Sequence, residues 1–260
     1  MAEAINLTTT RYPSLEGQTV FITGGAKGIG SSIVADYAAQ GAKTAFVDID
    51  EVAASALCNT LAGMGIDRPR FHACDLRDVE KLQAVIKEVG ETLGPITILV
   101  NNAAHDERHD IAEVTVEYWE DRLQVNMRHV FFATQAAAPQ MIQAKRGSII
   151  NFGSISWMSG QHDMPAYTAA KASIHGLTRG FARYYGEHGI RANTIVPGWI
   201  ITERQQELWF NEEGQKVQQL RQCLKDNIPP TAVARMALWL GADDSYYCTA
   251  QNFVVDAGWT

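Results

Sequence analysis

Gln18-Thr19-Val20-Phe21-Ile22-Thr23-Gly24-Gly25-Ala26-Lys27-Gly28-Ile29-Gly30 runs from a short apolar, β-branched strand straight into a glycine-rich turn, and an alanine-rich helical pattern begins at Ser31. Strand, glycine turn and helix, in that order, are the context a dinucleotide-binding βα unit requires. In that reading Gly24 allows the tight turn, Gly28 lets the backbone approach a pyrophosphate, and Gly30 lets the helix close on the strand. Lys27 and Ile29 lie between them, and the helix N-terminus faces the phosphates. A ligand-free βα loop has the same local pattern, so the turn alone does not establish a cofactor.

A second strand, Lys43-Thr44-Ala45-Phe46-Val47-Asp48, ends in a carboxylate about 20 residues beyond the glycines, where an acid accepts the hydroxyls of an adenosine ribose and repels a 2′-phosphate. Asp48 therefore argues for NAD over NADP, whereas Lys27 in the turn would tolerate a phosphate. Ile96–Val100, Gly147–Phe152 and Ala192–Val196 read as further buried strands, the last ending at Pro197-Gly198, where proline terminates the ladder. Strand-like and helix-like runs alternate throughout. The expected fold is α/β, a single-domain Rossmann-type doubly wound parallel sheet with helices on both faces, spanning residues 15–260. Residues 1–14 are polar and read as a flexible N-terminal leader without an apolar signal core.

The chemistry lies at the carboxyl edge of that sheet, where ligands bind in open parallel folds. Ser154 follows one of the strands, and Tyr167 opens Tyr167-Thr168-Ala169-Ala170-Lys171 on the next helical pattern, which runs through Tyr185. Positions i and i+4 share a helix face, so Lys171 is placed beneath the Tyr167 ring. A free phenol titrates near ~10, too high for a general base at neutral pH unless a fixed cation favours the phenolate. Lys171 is expected to supply that cation and Ser154 to hold the reacting oxygen.

The chain resembles the short-chain dehydrogenase/reductase family from about Leu15 to Thr260. The resemblance rests on Thr23–Gly30, Cys74-Asp75-Leu76, Asn101-Asn102-Ala103-Ala104, Val125-Asn126-Met127, the Ser154, Tyr167 and Lys171 set, and Pro197-Gly198 with Thr202. Ala104 stands where the family usually has glycine. The resemblance implies that Asp75 and Leu76 bound an adenine pocket, that Asn102 and Ala103 line the cofactor, and that Asn126 holds a proton-relay water behind the lysine. It also implies that Pro197, Gly198, Ile200 and Thr202 meet the nicotinamide carboxamide, that Lys171 holds the nicotinamide ribose, and that the assembly is a homotetramer. Asp106-Glu107-Arg108-His109, Asn151–Trp157, Gln222-Cys223-Leu224-Lys225 and the closing Asp256-Ala257-Gly258-Trp259 are similar to the family's bacterial sugar 1-dehydrogenases, which oxidise aldoses such as D-xylose, L-arabinose or D-galactose to lactones.

Residues 202–229 are rich in long polar and aromatic side chains and are expected to form one or two short helices as a lid. Asp106, His109, Gln161, His162, Trp199 and Arg204 are candidate partners for a polyhydroxylated ring, and Trp157 or Trp199 is a candidate stacking surface, with Ser154 and Tyr167 at the reacting carbon. The expected reaction is removal of the anomeric hydroxyl proton by Tyr167 while C1 gives its hydride to NAD. Two alternatives stay open: a reductase or dehydrogenase acting on a polyol, ketone or 3-oxoacyl thioester, and a non-catalytic NAD-binding sensor.

Composition narrows the partners. A formal charge of −7 disfavours nucleic acid and anionic membrane surfaces, and 46% hydrophobic content suffices for a substantial core. Cys58, Cys74, Cys223 and Cys248 have no metal spacing, and the histidines form no ligand cluster, so no metal is expected. Reduced cysteines and the lack of a signal core point to the cytoplasm.

Overall fold

A computed structural model describes residues 5–260. Its sheet has seven parallel strands in the order β3-β2-β1-β4-β5-β6-β7. They are β1 (Thr19–Thr23), β2 (Lys43–Asp48), β3 (Arg70–Ala73), β4 (Ile96–Asn101), β5 (Gly147–Phe152), β6 (Ile190–Pro197) and β7 (Asn252–Val255). Helices α1 (Gly28–Ala39), α2 (Glu51–Gly63), α3 (Val79–Leu93), α4 (Val116–Leu123), α5 (His129–Ala144), α6 (Pro165–Tyr185), α7 (Glu203–Leu208), α8 (Glu212–Arg221) and α9 (Pro230–Gly241) connect them. A π turn, Gln124–Arg128, joins α4 to α5.

Successive strand residues point to opposite faces, and both faces are covered, so central strands such as β1 are apolar along their length. Val20 and Ile22 of β1 enter a core shared with Ile33 and Tyr37 of α1 and Leu238 of α9. Phe21, between them, enters the opposite core with Ile86 of α3, Ala137 of α5 and Ile174 of α6. The chain leaves β1 towards β2 on one side and returns to add β4 on the other, which opens a crevice above the carboxyl ends of β1 and β4. β3 and β7, which are short and mixed in exposure, complete the two edges.

The leader departs from expectation where it is described. The Thr8 amide donates to Asp36 (3.0 Å), the Tyr12 amide to Gln40 Oε1 (2.9 Å), and Gln40 Nε2 to the Thr10 carbonyl (2.8 Å). Ile5, Leu7 and Tyr12 pack on the α1 side of the core, so residues 5–14 are docked through bonds to distant residues that no local pattern reveals; Met1 to Ala4 lie outside the described residues. Pro197 is the last residue of β6, still in register with Val255. Among the described residues no helix is long and apolar enough to cross a membrane.

Candidate active site

Helix α1 begins at Gly28, three residues before the expected start, so Gly28, Ile29 and Gly30 form its first turn. A side chain at Gly30 would put its Cβ 1.8 Å from the Gly24 carbonyl oxygen, and this contact is what requires glycine there. Thr23 Oγ1 accepts the amides of Asn102 and Ala103, each at 3.1 Å, and the Asn102 amide group donates to the carbonyls of Thr23 (3.1 Å) and Gly24 (2.9 Å). The end of β4 thus clamps the turn after β1. Helices α2, α3, α4, α7 and α8 each have a side-chain N-cap, from Asp50, Asp78, Thr115, Thr202 and Asn211, whereas α1, like α5, α6 and α9, has none. Its first-turn amides are left for an anion, and Gly24, Lys27, Gly28, Ile29 and Gly30 line a cleft of about 1170 Å³. That exceeds the ~300–1,000 Å³ of an ordinary small-molecule pocket, leaving room for a dinucleotide and a substrate together.

Asp48 closes β2 at the cleft wall. One of its oxygens accepts the Ala26 amide (2.9 Å) and the other the Ile49 and Asp50 amides (2.8 and 3.1 Å), so it also secures the glycine turn. Lys27 is paired with Asp50 at 2.6 Å, and that carboxylate holds the ammonium above its ordinary range. The phosphate tolerance expected of Lys27 is therefore offset by a neighbour two residues beyond Asp48. Asp75 and Leu76 line the cleft farther along, and Arg77 pairs with Asp75 at 2.6 Å and holds its carboxyl below the usual range. Asn102, Ala103, Pro197, Gly198, Ile200 and Thr202 border the same space.

Ser154, Tyr167 and Lys171 all line this cleft. Lys171 Nζ lies 5.8 Å from the Tyr167 ring centroid and donates to the Phe152 carbonyl at 2.8 Å. The expected electrostatics are corrected, however. Burial raises the phenol above its ordinary value, the charge of Asp106 raises it further, and a hydrogen bond from Ser154 only partly opposes them. Burial likewise pushes Lys171 down to about 7, with Asp106 acting the other way. Desolvation disfavours the charged form of both groups and is the largest influence on each.

Asn126 also differs from expectation. It is fully buried in the π turn, its Oδ1 accepts the His105 amide (2.7 Å), and its Nδ2 donates to the carbonyls of Arg122 (2.9 Å) and His105 (3.2 Å). The side chain is a strut under the loop after β4, with both Nδ2 hydrogens and one of the two Oδ1 acceptor positions engaged. Sequence reasoning missed His129, which is fully buried and shares a hydrogen bond with the Ala103 carbonyl at 3.1 Å. Burial, and then the Lys171 charge, push it down to about 3, so it backs the cofactor loop as a neutral imidazole. Its position three residues after Asn126 was the one available signal.

The substrate wall is sorted by the structure. Asp106, Trp199, Arg204, Gln161 and His162 line the cleft. His109 and Trp157 do not line it, which corrects both assignments. His109 Nδ1 lies 2.9 Å from the Tyr118 hydroxyl and its backbone amide donates to Asp163, so its ring belongs to the packing of α4. Trp157 Nε1 donates to His175 Nε2 at 3.0 Å, which fastens the Ser154 loop to α6. Residues 202–229, expected to form one or two short helices, contain α7 and α8, and this side of the cleft adds groups not singled out from sequence. Arg108 stacks 3.6 Å above the Trp209 ring, and Trp259, from the chain end, sits with Trp199 at 6.2 Å between centroids and lines the cleft. The amides of Cys223 and Leu224 both donate to the Ala257 carbonyl, tying the lid's far end to that terminal segment.

Comparison with known proteins places these features in context. The family described as Enoyl-(Acyl carrier protein) reductase matches residues 24–260. The chain is 46% identical to a D-xylose 1-dehydrogenase of Caulobacter vibrioides, across 95% of this chain and 98% of that protein. It is 42% identical to a probable galactose dehydrogenase of Rhizobium meliloti, across 98% and 99%. Among solved structures it is similar to a blue fluorescent protein from a metagenomic library in complex with NADPH, with a TM-score of 0.85, 32% identity, and 95% and 99% coverage.

Proposed function

Since the chain belongs to the short-chain dehydrogenase/reductase family, we propose that it oxidises the anomeric hydroxyl of an aldose to the aldonolactone, with NAD as hydride acceptor. The observation that carries this reading is the meeting of Ser154, Tyr167 and Lys171 in a cleft whose opposite wall is polar and aromatic, in a chain close to sugar dehydrogenases over nearly its whole length. A polyhydroxylated ring needs both kinds of surface: donors and acceptors around its edge and an aromatic plane against its C–H face.

In this reading the uncapped α1 N-terminus and Gly24, Gly28 and Gly30 hold the pyrophosphate, Asp48 the adenosine ribose, and Asp75 and Leu76 the adenine. Asn102, Ala103, Pro197, Gly198, Ile200 and Thr202 border the nicotinamide end. The bound nicotinamide supplies the electron sink for the hydride leaving C1. Tyr167 takes the hydroxyl proton while Ser154 steadies the oxygen that becomes a carbonyl. Lys171, near 7, exchanges protons readily at neutral pH and supports the role of carrying the phenol's proton onward. Asn126 contributes by holding the His105 loop in place.

Preference for NAD is supported by the Asp48 carboxylate and by the pairing of Lys27 with Asp50 at the turn. A homotetramer is supported by half-exposed Phe131 on α5, largely exposed Tyr184 on α6 and the open edge of β7. A cytoplasmic setting is supported by four unpaired cysteines. The deciding experiment is a panel of pentoses and hexoses, with a polyol and a simple secondary alcohol beside them, assayed with NAD and with NADP by absorbance of the reduced cofactor. Turnover of aldoses with NAD well above NADP is expected. Turnover of the polyol alone would favour the alternative that a D-threitol dehydrogenase relative, 31% identical, represents.

A further inference from the structure

Asp106 stands between the lid and the reacting group, and no part of the proposed mechanism uses it. Its carboxylate accepts from Gln205 Nε2 at 2.7 Å and from Arg204 Nε at 3.4 Å, both on α7. Gln205 in turn accepts from Trp199 Nε1 at 2.9 Å, so the same contact sets the aromatic wall. On the opposite side the neighbouring His105 amide is anchored to Asn126, which fixes the start of this loop to the π turn. Asp106 is thus tied to the π turn through its neighbour's backbone and to α7 at its tip. It lines the cleft, about one quarter exposed, and its charge acts on both Tyr167 and Lys171. A carboxylate offers about four acceptor positions, of which the lid occupies two, and the 3.4 Å contact to a half-exposed arginine is readily exchanged.

We propose that Asp106 is the specificity-determining residue of the site: its carboxylate accepts the hydroxyl on the carbon next to the one oxidised, while its bonds to Gln205 and Arg204 keep α7 latched over the cleft. The choice of substrate rests on the aldose reading; the latch does not. A hydroxyl on the adjacent carbon is the nearest substrate donor to the oxygen held by Tyr167 and Ser154, and a substrate without it leaves Asp106 a desolvated acceptor once the lid closes.

The test compares wild type with Asp106→Ala and Asp106→Asn, using the best aldose of the panel and its 2-deoxy counterpart. Trypsin cleavage of the substrate-free protein within α7 and α8 is followed in parallel at Arg204, Lys216 and Arg221. Wild type should prefer the parent sugar by at least ~10-fold in kcat/KM, the size of one hydrogen bond to a charged group. Asp106→Ala should erase that preference and expose the lid to faster cleavage. Asp106→Asn, which retains an acceptor oxygen, should keep part of both. An unchanged parent-to-deoxy ratio in Asp106→Ala overturns the specificity role, and unchanged lid cleavage overturns the latch. A wild type that oxidises other alcohols but no aldose sinks the aldose reading and the specificity role with it, and the latch then stands or falls on the cleavage rates.

Discussion

The glycine turn and the lid face each other across one cleft and are held by opposite means. In the turn, backbone meets backbone: Gly30 lies against the Gly24 carbonyl, Asn102 and Thr23 bridge main-chain groups, and Asp48 collects three amides. Across the cleft, α7 and the turn after it are held by the ends of long side chains, Arg204 and Gln205 on Asp106 and Arg108 over Trp209, and main-chain bonds fasten the lid's far end at Ala257. Contacts of the first kind leave no room to adjust, which suits a cofactor of constant shape. Those of the second kind can be exchanged for a ligand's hydroxyls, which suits a substrate that differs from relative to relative.

The largest response is expected from the catalytic helix α6. Tyr167→Phe is expected to lower kcat by about 10²–10⁴-fold, the usual contribution of a positioned base, while NAD affinity measured by fluorescence titration stays nearly unchanged. An active Phe variant would remove Tyr167 from the reaction. Next in size, Gly30→Ala should cost about 1–3 kcal/mol in denaturant unfolding, because the added methyl overlaps the Gly24 carbonyl, and should weaken NAD binding more than tenfold. Wild-type melting and binding in this variant would show that the turn adjusts after all.

A smaller effect concerns pH. Lys171 is pushed down to about 7 in the fold, against 10.5 for an ordinary lysine. Between these values the unfolded chain holds a proton that the folded chain lacks, so this residue makes stability rise with pH from 7 towards 10.5, and its penalty is fully present below 7. Lys171→Met should flatten that rise in the thermal midpoint of the ligand-free protein, and an identical slope in both proteins would contradict the shift. The smallest effect is expected on the lid: Arg108→Ala removes a stacked cation worth about 0.5–1 kcal/mol, so the sugar KM should rise only a few-fold with NAD affinity unaltered. A large fall in NAD affinity would mean that the two sides are not separable.

The same division governs how far the chain could be read before its structure was known. Strand β1 with its turn, the carboxylate ending β2, and the Ser154, Tyr167 and Lys171 spacing were all legible, each being carried by a few neighbouring residues. Segments quoted for their similarity to sugar dehydrogenases gain a physical meaning only in three dimensions, where Leu224 bonds Ala257 and Asp106 meets Arg204. His109 and Trp157 were misjudged for a related reason. Residue type shows that an imidazole or indole can meet a sugar, but not that Tyr118 and His175 already hold those rings.

By itself the sequence determined a doubly wound sheet with a dinucleotide turn and a tyrosine, lysine and serine set at its carboxyl edge. Side-chain periods and the need for glycine act over a handful of residues and are written locally. Only the tertiary structure decided the protonation tendencies of Tyr167 and Lys171, the strut role of Asn126, the buttress of His129 and the lid contact of Asp106 with Gln205, 99 positions apart. Burial and the choice of partner for a long polar side chain depend on which distant segments the packed sheet brings together, and desolvation then sets the charge each group can bear.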